Sequence, residues 1–408
     1  MTLEPLSPTL RRGVIALLSA LSTGAWEAQA HPSEPDAPTA TTDATRTADE
    51  TRRLPFMERS IAASTNFRVT SQRMETPTWF FPSALPVQGE ERPASTSTET
   101  LAIANPADVS VDFNGQTDLG ALRLHFNAGF AQPHASVGIH ASYAYAQLGG
   151  LVAGFADSTF ADADAYPGTL DFAGPNALVF QKHAVLRYGH LLNHDEDVRM
   201  FLQVALEEPG ANLPTGAQTA RDPVPDGIVS WRAESDWGHL QLAGVIRAVS
   251  SRDPEQATRD TALGLGGNLT GACHLGLEHT LQLGITGGQG IAAYVNELGD
   301  SQYDAAPEVD GSLDALPVLG GYAAFTYVWT EMLSSTATYG WLQVWDREHE
   351  ASLGDTGFRR SQYASLNLVA DIVEGTQAGI EGLWGYSRAI NNESSHALRV
   401  QLAFQYRY

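Results

Sequence analysis

The sequence predicts an all-β fold: a closed antiparallel transmembrane β-barrel of about 16 strands behind a disordered N-terminal tail. Three observations predict it. Apolar and polar residues alternate with a period of two from about residue 107 to the end of the chain. Beyond residue 30 no stretch approaches the ~20 apolar residues that a membrane helix needs. The N-terminus reads as an export signal.

The signal comes first. Arg11 and Arg12 supply a short basic region, Gly13 to Ala20 an apolar one, and Ala28-Gln29-Ala30 the small residues that a signal peptidase reads. Cleavage after Ala30 is expected, with delivery to the outer membrane of a Gram-negative bacterium. Residues 31–61 are rich in Pro, Thr, Ala, Asp and Glu and lack periodic apolar positions, so they read as a disordered periplasmic tail. The barrel is expected over 62–408. The single cysteine, Cys273, permits no intrachain disulfide. An exported chain of this size without disulfides needs a large core or a closed barrel. The formal charge of −23 argues against nucleic acid, or anionic lipid, bound through a general basic surface.

The strands follow from the alternation. Leu398, Val400, Leu402, Phe404, Tyr406 and Tyr408 form one face of the last segment, and Arg399, Gln401, Ala403, Gln405 and Arg407 the other. Leu122, Leu124 and Phe126 oppose Arg123, His125 and Asn127 in the same way; Leu240, Leu242 and Ile246 oppose His239, Gln241 and Arg247. The segments run to ~10 residues, longer than the ~5–6 usual in soluble sandwiches. Aromatic residues such as Trp231, Tyr327, Trp329, Trp345, Trp384 and Tyr386 sit near their ends, where a membrane interface favours them.

With Leu, Val and Phe turned to lipid, Arg123, His125, His183, Arg187, Arg199, Arg232, Arg247, Arg399 and Arg407 turn to the lumen, against fewer acids: Glu207, Glu234, Asp371 and Glu381. Guanidinium is always charged and grips carboxylate in a two-pronged fork, so a basic channel wall within an acidic protein is expected to relay anions. The bland reading is that these arginines pair with lumen acids and stiffen the wall. The segment from Asp157 to Pro175 is too long for a hairpin turn. Its Phe160, Tyr166, Leu170 and Phe172 suit packing inside the barrel as a constriction, with Asp157, Asp162, Asp164 and Asp171 as its acids; the alternative is a loop folded outward onto a neighbouring subunit. Two carboxylates on a loop are thin for calcium. There is no zinc spacing, phosphate loop or nucleophile elbow, so neither metal, cofactor nor enzymatic activity is expected.

One stretch carries a resemblance. Ser158-Thr159-Phe160, Asp162, Thr169-Leu170-Asp171-Phe172, Gly174-Pro175 and Arg187-Tyr188, with Val111-Asp112-Phe113-Asn114-Gly115 upstream, resemble the DcaP-like family of trimeric outer-membrane porins. The resemblance implies a homotrimer of 16-stranded barrels in outer-membrane lipid, admitting small anions such as dicarboxylates. Family members often carry a coiled coil before the barrel, which this Pro-rich tail cannot form. Two other functions stay open on the sequence: an outer-membrane barrel enzyme such as a lipid hydrolase, and a soluble secreted saccharide-binding β-protein.

Overall fold

The computed structural model describes residues 58–72, 82–85, 99–130, 139–171, 174–193, 197–213, 218–219, 224–252, 259–276, 278–299, 301–308, 312–345 and 357–407. The export signal and nearly all of the tail lie outside the described residues. The tail's last four positions do not: they open the first strand, four residues earlier than the alternation suggests.

The strands are β1 (Glu58–Gln72), β2 (Glu99–Thr117), β3 (Gly120–Phe130), β4 (Ile139–Leu148), β5 (Leu151–Asp157), β6 (Lys182–Leu191), β7 (Arg199–Glu207), β8 (Gln218–Thr219), β9 (Asp226–Ser235), β10 (Gly238–Arg252), β11 (Arg259–Leu275), β12 (His279–Gln289), β13 (Ala305–Pro307), β14 (Leu313–Ala315), β15 (Pro317–Thr330), β16 (Leu333–Val344), β17 (Phe358–Val373), β18 (Thr376–Ala389) and β19 (Ser394–Arg407). All but β13 and β14 belong to one 17-stranded sheet, and those two make a separate hairpin. Each long strand pairs antiparallel with its neighbours in sequence, β7 with β9 and β12 with β15 across intervening segments. At the ends of the chain, β1 pairs with β2 along one edge and with β19 along the other.

The two faces of the sheet differ as the alternation requires. Leu398, Val400 and Leu402 are half exposed on one face, while Arg399, Gln401, Ala403 and Gln405 are buried on the other. Leu240, Leu242 and Ile246 are exposed against buried His239, Gln241, Ala243 and Arg247. We call the exposed apolar face outer and the buried one inner. Connections alternate as well. Short turns such as 118–119, 149–150, 236–237, 331–332 and 374–375 close one end of the sheet. The long segments 158–181 and 290–316 leave the other end.

On the outer face, aromatic side chains form two bands. Phe325, Tyr327 and Trp329 lie at the short-turn end, where Tyr327 stacks on His279 at 4.3 Å. Trp341 and Trp345 pack edge to face at the long-loop end, and Trp384 and Tyr386 stack nearby. Tyr406 is the cross-strand partner of Thr376, ten positions before Tyr386 on β18. Ten residues at about 3.3 Å each, tilted ~40°, rise about 25 Å, the height of the apolar band on an outer-membrane barrel.

Candidate functional site

Two long loops turn back onto the inner face. The first, 158–181, is held by side chains of the wall that donate to its backbone carbonyls. Asn268 donates to Phe160 O at 2.8 Å, Gln241 to Ala161 O at 2.8 Å, Tyr322 to Ala165 O at 3.1 Å, Gln282 to Tyr166 O at 3.0 Å and Asn367 to Gly168 O at 2.5 Å. Asp162 is the ionic anchor. Its carboxylate accepts from Arg232 at 2.9 Å, His239 at 2.9 Å and Thr270 at 2.6 Å. Burial alone would push this carboxyl up, but His239, Arg232 and Thr270 outweigh it and hold the carboxyl below its ordinary value. The wall makes room with glycine where the loop passes closest: a Cβ at Gly340 would sit 2.3 Å from Asn176 Oδ1.

The second loop, 290–316, is not marked out by strand alternation. It packs on the first. Val179 and Val295 form a β-bridge, Asn296 N donates to Leu178 O at 2.8 Å, and Gln181 Nε2 donates to Ala293 O at 2.6 Å. The Phe160 and Tyr294 rings meet edge to face at 5.4 Å. Around them Ala205, Ile228, Val245, Val318, Leu342 and Phe358 complete a buried cluster that fills this side of the inner space. The signal was present in Ile291-Ala-Ala-Tyr-Val-Asn-Glu-Leu298, a run too apolar to lie in solvent. Glu297 sits where three segments meet, accepting from Ser83 N and Ser361 Oγ, while Asn176 donates to the same serine at 2.7 Å. Burial pushes the Glu297 carboxyl up to about 7, against the hydrogen bonds from Ser361, Ser83 and Asn176.

Loop coverage divides the arginines expected in the lumen. Arg247, 2 % exposed, lies beneath the second loop. It reaches Asp226 at 3.2 Å and Asp304 at 3.3 Å, donates to the Gly290 and Gly210 carbonyls, and sits 5.3 Å from the Tyr294 ring centre. Arg399 is equally buried. Neither meets a water-filled space, and this corrects the expectation for both: the inner face is not all channel wall. His183 is half buried, its ring 5.4 Å from Tyr294.

Arg123, His125, Arg187, Arg199 and Arg232 occupy the wall that the loops leave less covered. Register places Asp112, His125 and Tyr145 side by side across β2, β3 and β4. Asp112 takes Arg123 at 2.8 Å and His125 at 2.9 Å. Gln147, Val152 and Arg187 continue the Arg123 row across β4, β5 and β6. Arg187 forms no ion pair or hydrogen bond among the described residues, though it acts electrostatically on Tyr145 and Glu207. Arg232 spans Asp162, Asp164 at 2.6 Å and Glu234 at 2.5 Å, and Arg199 reaches Glu234 at 3.2 Å. These ion pairs carry the stiffening role of the bland reading.

Among the first loop's named residues, Phe160, Asp162 and Asp171 are buried and Asp164 is exposed beside Arg232. Tyr363 donates to Asp171 at 3.3 Å. Asp157 accepts from Tyr143 at 3.1 Å, and Lys182 Nζ lies 3.7 Å over the same ring. Phe172 lies outside the described residues. No group of acidic, histidine or cysteine side chains among the described residues is arranged to hold a metal ion.

No family model matches the chain. No curated protein matches it either. Solved structures do. The outer membrane channel DcaP of Acinetobacter baumannii superposes with a TM-score of 0.73 at 15 % identity, covering 86 % of this chain and 97 % of that one. The trimer form of the Vibrio cholerae outer membrane protein OmpT gives 0.51 at 9 % identity, covering 86 % and 99 %. An anion-selective porin from Comamonas acidovorans gives 0.50 at 7 % identity, covering 86 % and 100 %. At these identities the likeness is one of fold, and the fold is that of the outer membrane channel DcaP.

Proposed function

We propose that the chain is an outer-membrane porin that passes small anions, dicarboxylates among them, through a barrel narrowed by its two inner loops. The pairing of β1 with both β19 and β2 supports a closed ring of 16 long strands. The apolar outer face, the aromatic bands and the export signal favour the outer membrane, with short turns at the periplasm and long loops outside. The likeness to a trimeric neighbour supports a homotrimer. Residues 1–30 act as the cleaved signal, and 31–57 as a periplasmic tail.

The observation that carries anion selectivity is Arg187. It is a cation without an ion-pair partner among the described residues, on the less covered wall, with Arg123 in the same cross-strand row and His125 in an adjacent one. A guanidinium in a narrow, partly desolvated passage acts at lower effective dielectric than one at the mouth, so it weighs more on a passing ion. Asp164 and Glu234 face Arg232 and Arg199 and leave little free negative charge there. The test is the reversal potential of purified protein in a salt gradient. Wild type is expected to prefer anions despite the net charge of −23. Replacing Arg123 and Arg187 together by Gln is expected to lower that preference. A cation-selective wild type, unchanged by the replacements, rules out the basic wall.

A further inference from the structure

The outer face carries a second set of arginines, away from the lumen, at the long-loop end of β17 and β18. Arg360 and Arg388 are direct cross-strand partners. Both stand on the outer face, in line with Trp384, Tyr386 and exposed Leu366. Like charges directly opposite in a sheet have Cβ atoms about 5 Å apart and destabilise the pairing. No carboxylate among the described residues reaches either guanidinium at ion-pair distance, nor that of Arg359 beside them. Glu393, the described acid nearest to Arg388 in sequence, makes no ion pair with them.

What these side chains do contact holds them in place without neutralising them. Asn392, in the left-handed conformation at φ 70°, accepts through Oδ1 from Arg388 at 2.9 Å and from Arg359 at 3.4 Å. The Arg360 guanidinium lies 5.8 Å from the Tyr386 ring centre, and the Tyr386 hydroxyl is in hydrogen-bond contact with Arg360 and Ser394. The result is a fork of cations with the Tyr386 and Ser394 hydroxyls beside it, on the outer face of the sheet. Tetrahedral phosphate oxygens fit such a fork. Directly toward the sheet's middle on the same face come Trp384, Leu398 and Leu366, the last two more than half exposed. A ligand whose phosphate occupies the fork therefore lays whatever is attached to it along an apolar wall.

We propose that Arg360 and Arg388, with Tyr386 and Ser394, bind the phosphate of a membrane lipid headgroup at the outer rim of the barrel. The apolar wall below the fork selects lipid over free phosphate, since only a lipid has chains to cover it. The proposal rests on the porin reading for its membrane, but not on anion selectivity. It also accounts for a like-charge pair in a chain with few cations: bound phosphate turns the repulsion into a bridge.

Native mass spectrometry of the full-length protein in detergent tests it, with a diphosphorylated glycolipid, its dephosphorylated counterpart and inorganic phosphate as probes. Wild type is expected to retain one phosphorylated lipid per chain, and R360Q/R388Q to bind it about tenfold more weakly, a change of ~1.4 kcal/mol. Equal retention by wild type and variant overturns the site. So does equal retention of the dephosphorylated lipid, displacement of the lipid by inorganic phosphate at the same concentration, or dissociation of the variant's oligomer, which assigns the patch to a second copy. Should the double variant fail to fold, R360Q alone carries the same comparison. Bilayer conductance of the same preparations separates the failures: channels without lipid dependence sink only this site, whereas no channels at all sinks the porin reading.

Discussion

Arg187 and Arg247 are the same residue type on the same face of the same sheet, yet they live in different solvents. Arg187 stands on the less covered wall of β2 to β7, without an ion-pair partner among the described residues. Arg247 stands on β10 beneath the second loop, at 2 % exposure, with Asp226 and Asp304 against it. Strand periodicity decides which face a side chain takes. The loops decide whether that face meets water. A guanidinium left in water is free to act on a passing ion, whereas a buried one must be matched by carboxylates to be tolerated at all.

The comparison is broken most sharply by removing Arg247. Asp226 and Asp304 would stay buried without their cation, and breaking a buried pair costs about 3–5 kcal/mol. R247L is expected to abolish the heat-shifted folded band on a denaturing gel, while R187Q leaves it unchanged. Equal behaviour of the two would mean that loop coverage does not divide the inner face.

Next in size is the ionic anchor of the first loop. D162A strips Arg232, His239 and Thr270 of their shared acceptor, and orphaned buried donors cost about 1–3 kcal/mol each. Single-channel conductance should rise as the loop loosens from β9 to β11. Because the folded carboxyl lies below its ordinary 3.8, the anchor's contribution is present above that value and is lost as pH falls through the folded one. Acid should therefore raise wild-type conductance and leave D162A flat.

A smaller effect is expected from R187Q alone: a reduction of a few fold in the anion-to-cation permeability ratio, with conductance little changed. An unchanged ratio would move selectivity to the ion-paired arginines.

The smallest is a pH trend at Glu297. Its carboxyl is raised from 4.5 to about 7, so the folded protein holds a proton between those values that the unfolded chain has released. Stability should fall as pH rises through that window and level off above it. The temperature at which the folded band disappears should drop by a few degrees from pH 4.5 to 7 in wild type and stay level in E297Q.

The parts legible in the sequence were those governed by local periodicity. The phase of β19, with Leu402 out and Gln401 in, follows from the period of two alone. The apolar Phe160, Tyr166 and Leu170 suited a loop packed inside the sheet, and all three are buried. What stayed hidden depends on contacts between segments far apart in the chain. The burial of Arg247 needs Tyr294 and Asp304 from a loop more than 40 residues away, and alternation carries no record of that. Arg399 was misplaced for the same reason, since the inner face of β19 reads identically whether or not something covers it. The Arg360–Arg388 pairing escaped too, because its register is set by a shift between Asp371 and Val373, beside the turn at 374–375, that no residue type announces.

The grip on the first loop has a consequence for how such a channel changes over time. Asn268, Gln241, Tyr322, Gln282 and Asn367 hold carbonyl oxygens, a feature every amino acid shares. Apart from the Asp162 anchor and the buried Phe160, Tyr166 and Leu170, the path of the loop thus depends little on which side chains ride on it. Ala161, Ala163 and Asp164, whose side chains are not fully enclosed, can be exchanged while the wall keeps the course fixed. Permeability is then open to adjustment one substitution at a time, by natural variation or by design, and the scaffold need not be rebuilt for each new solute.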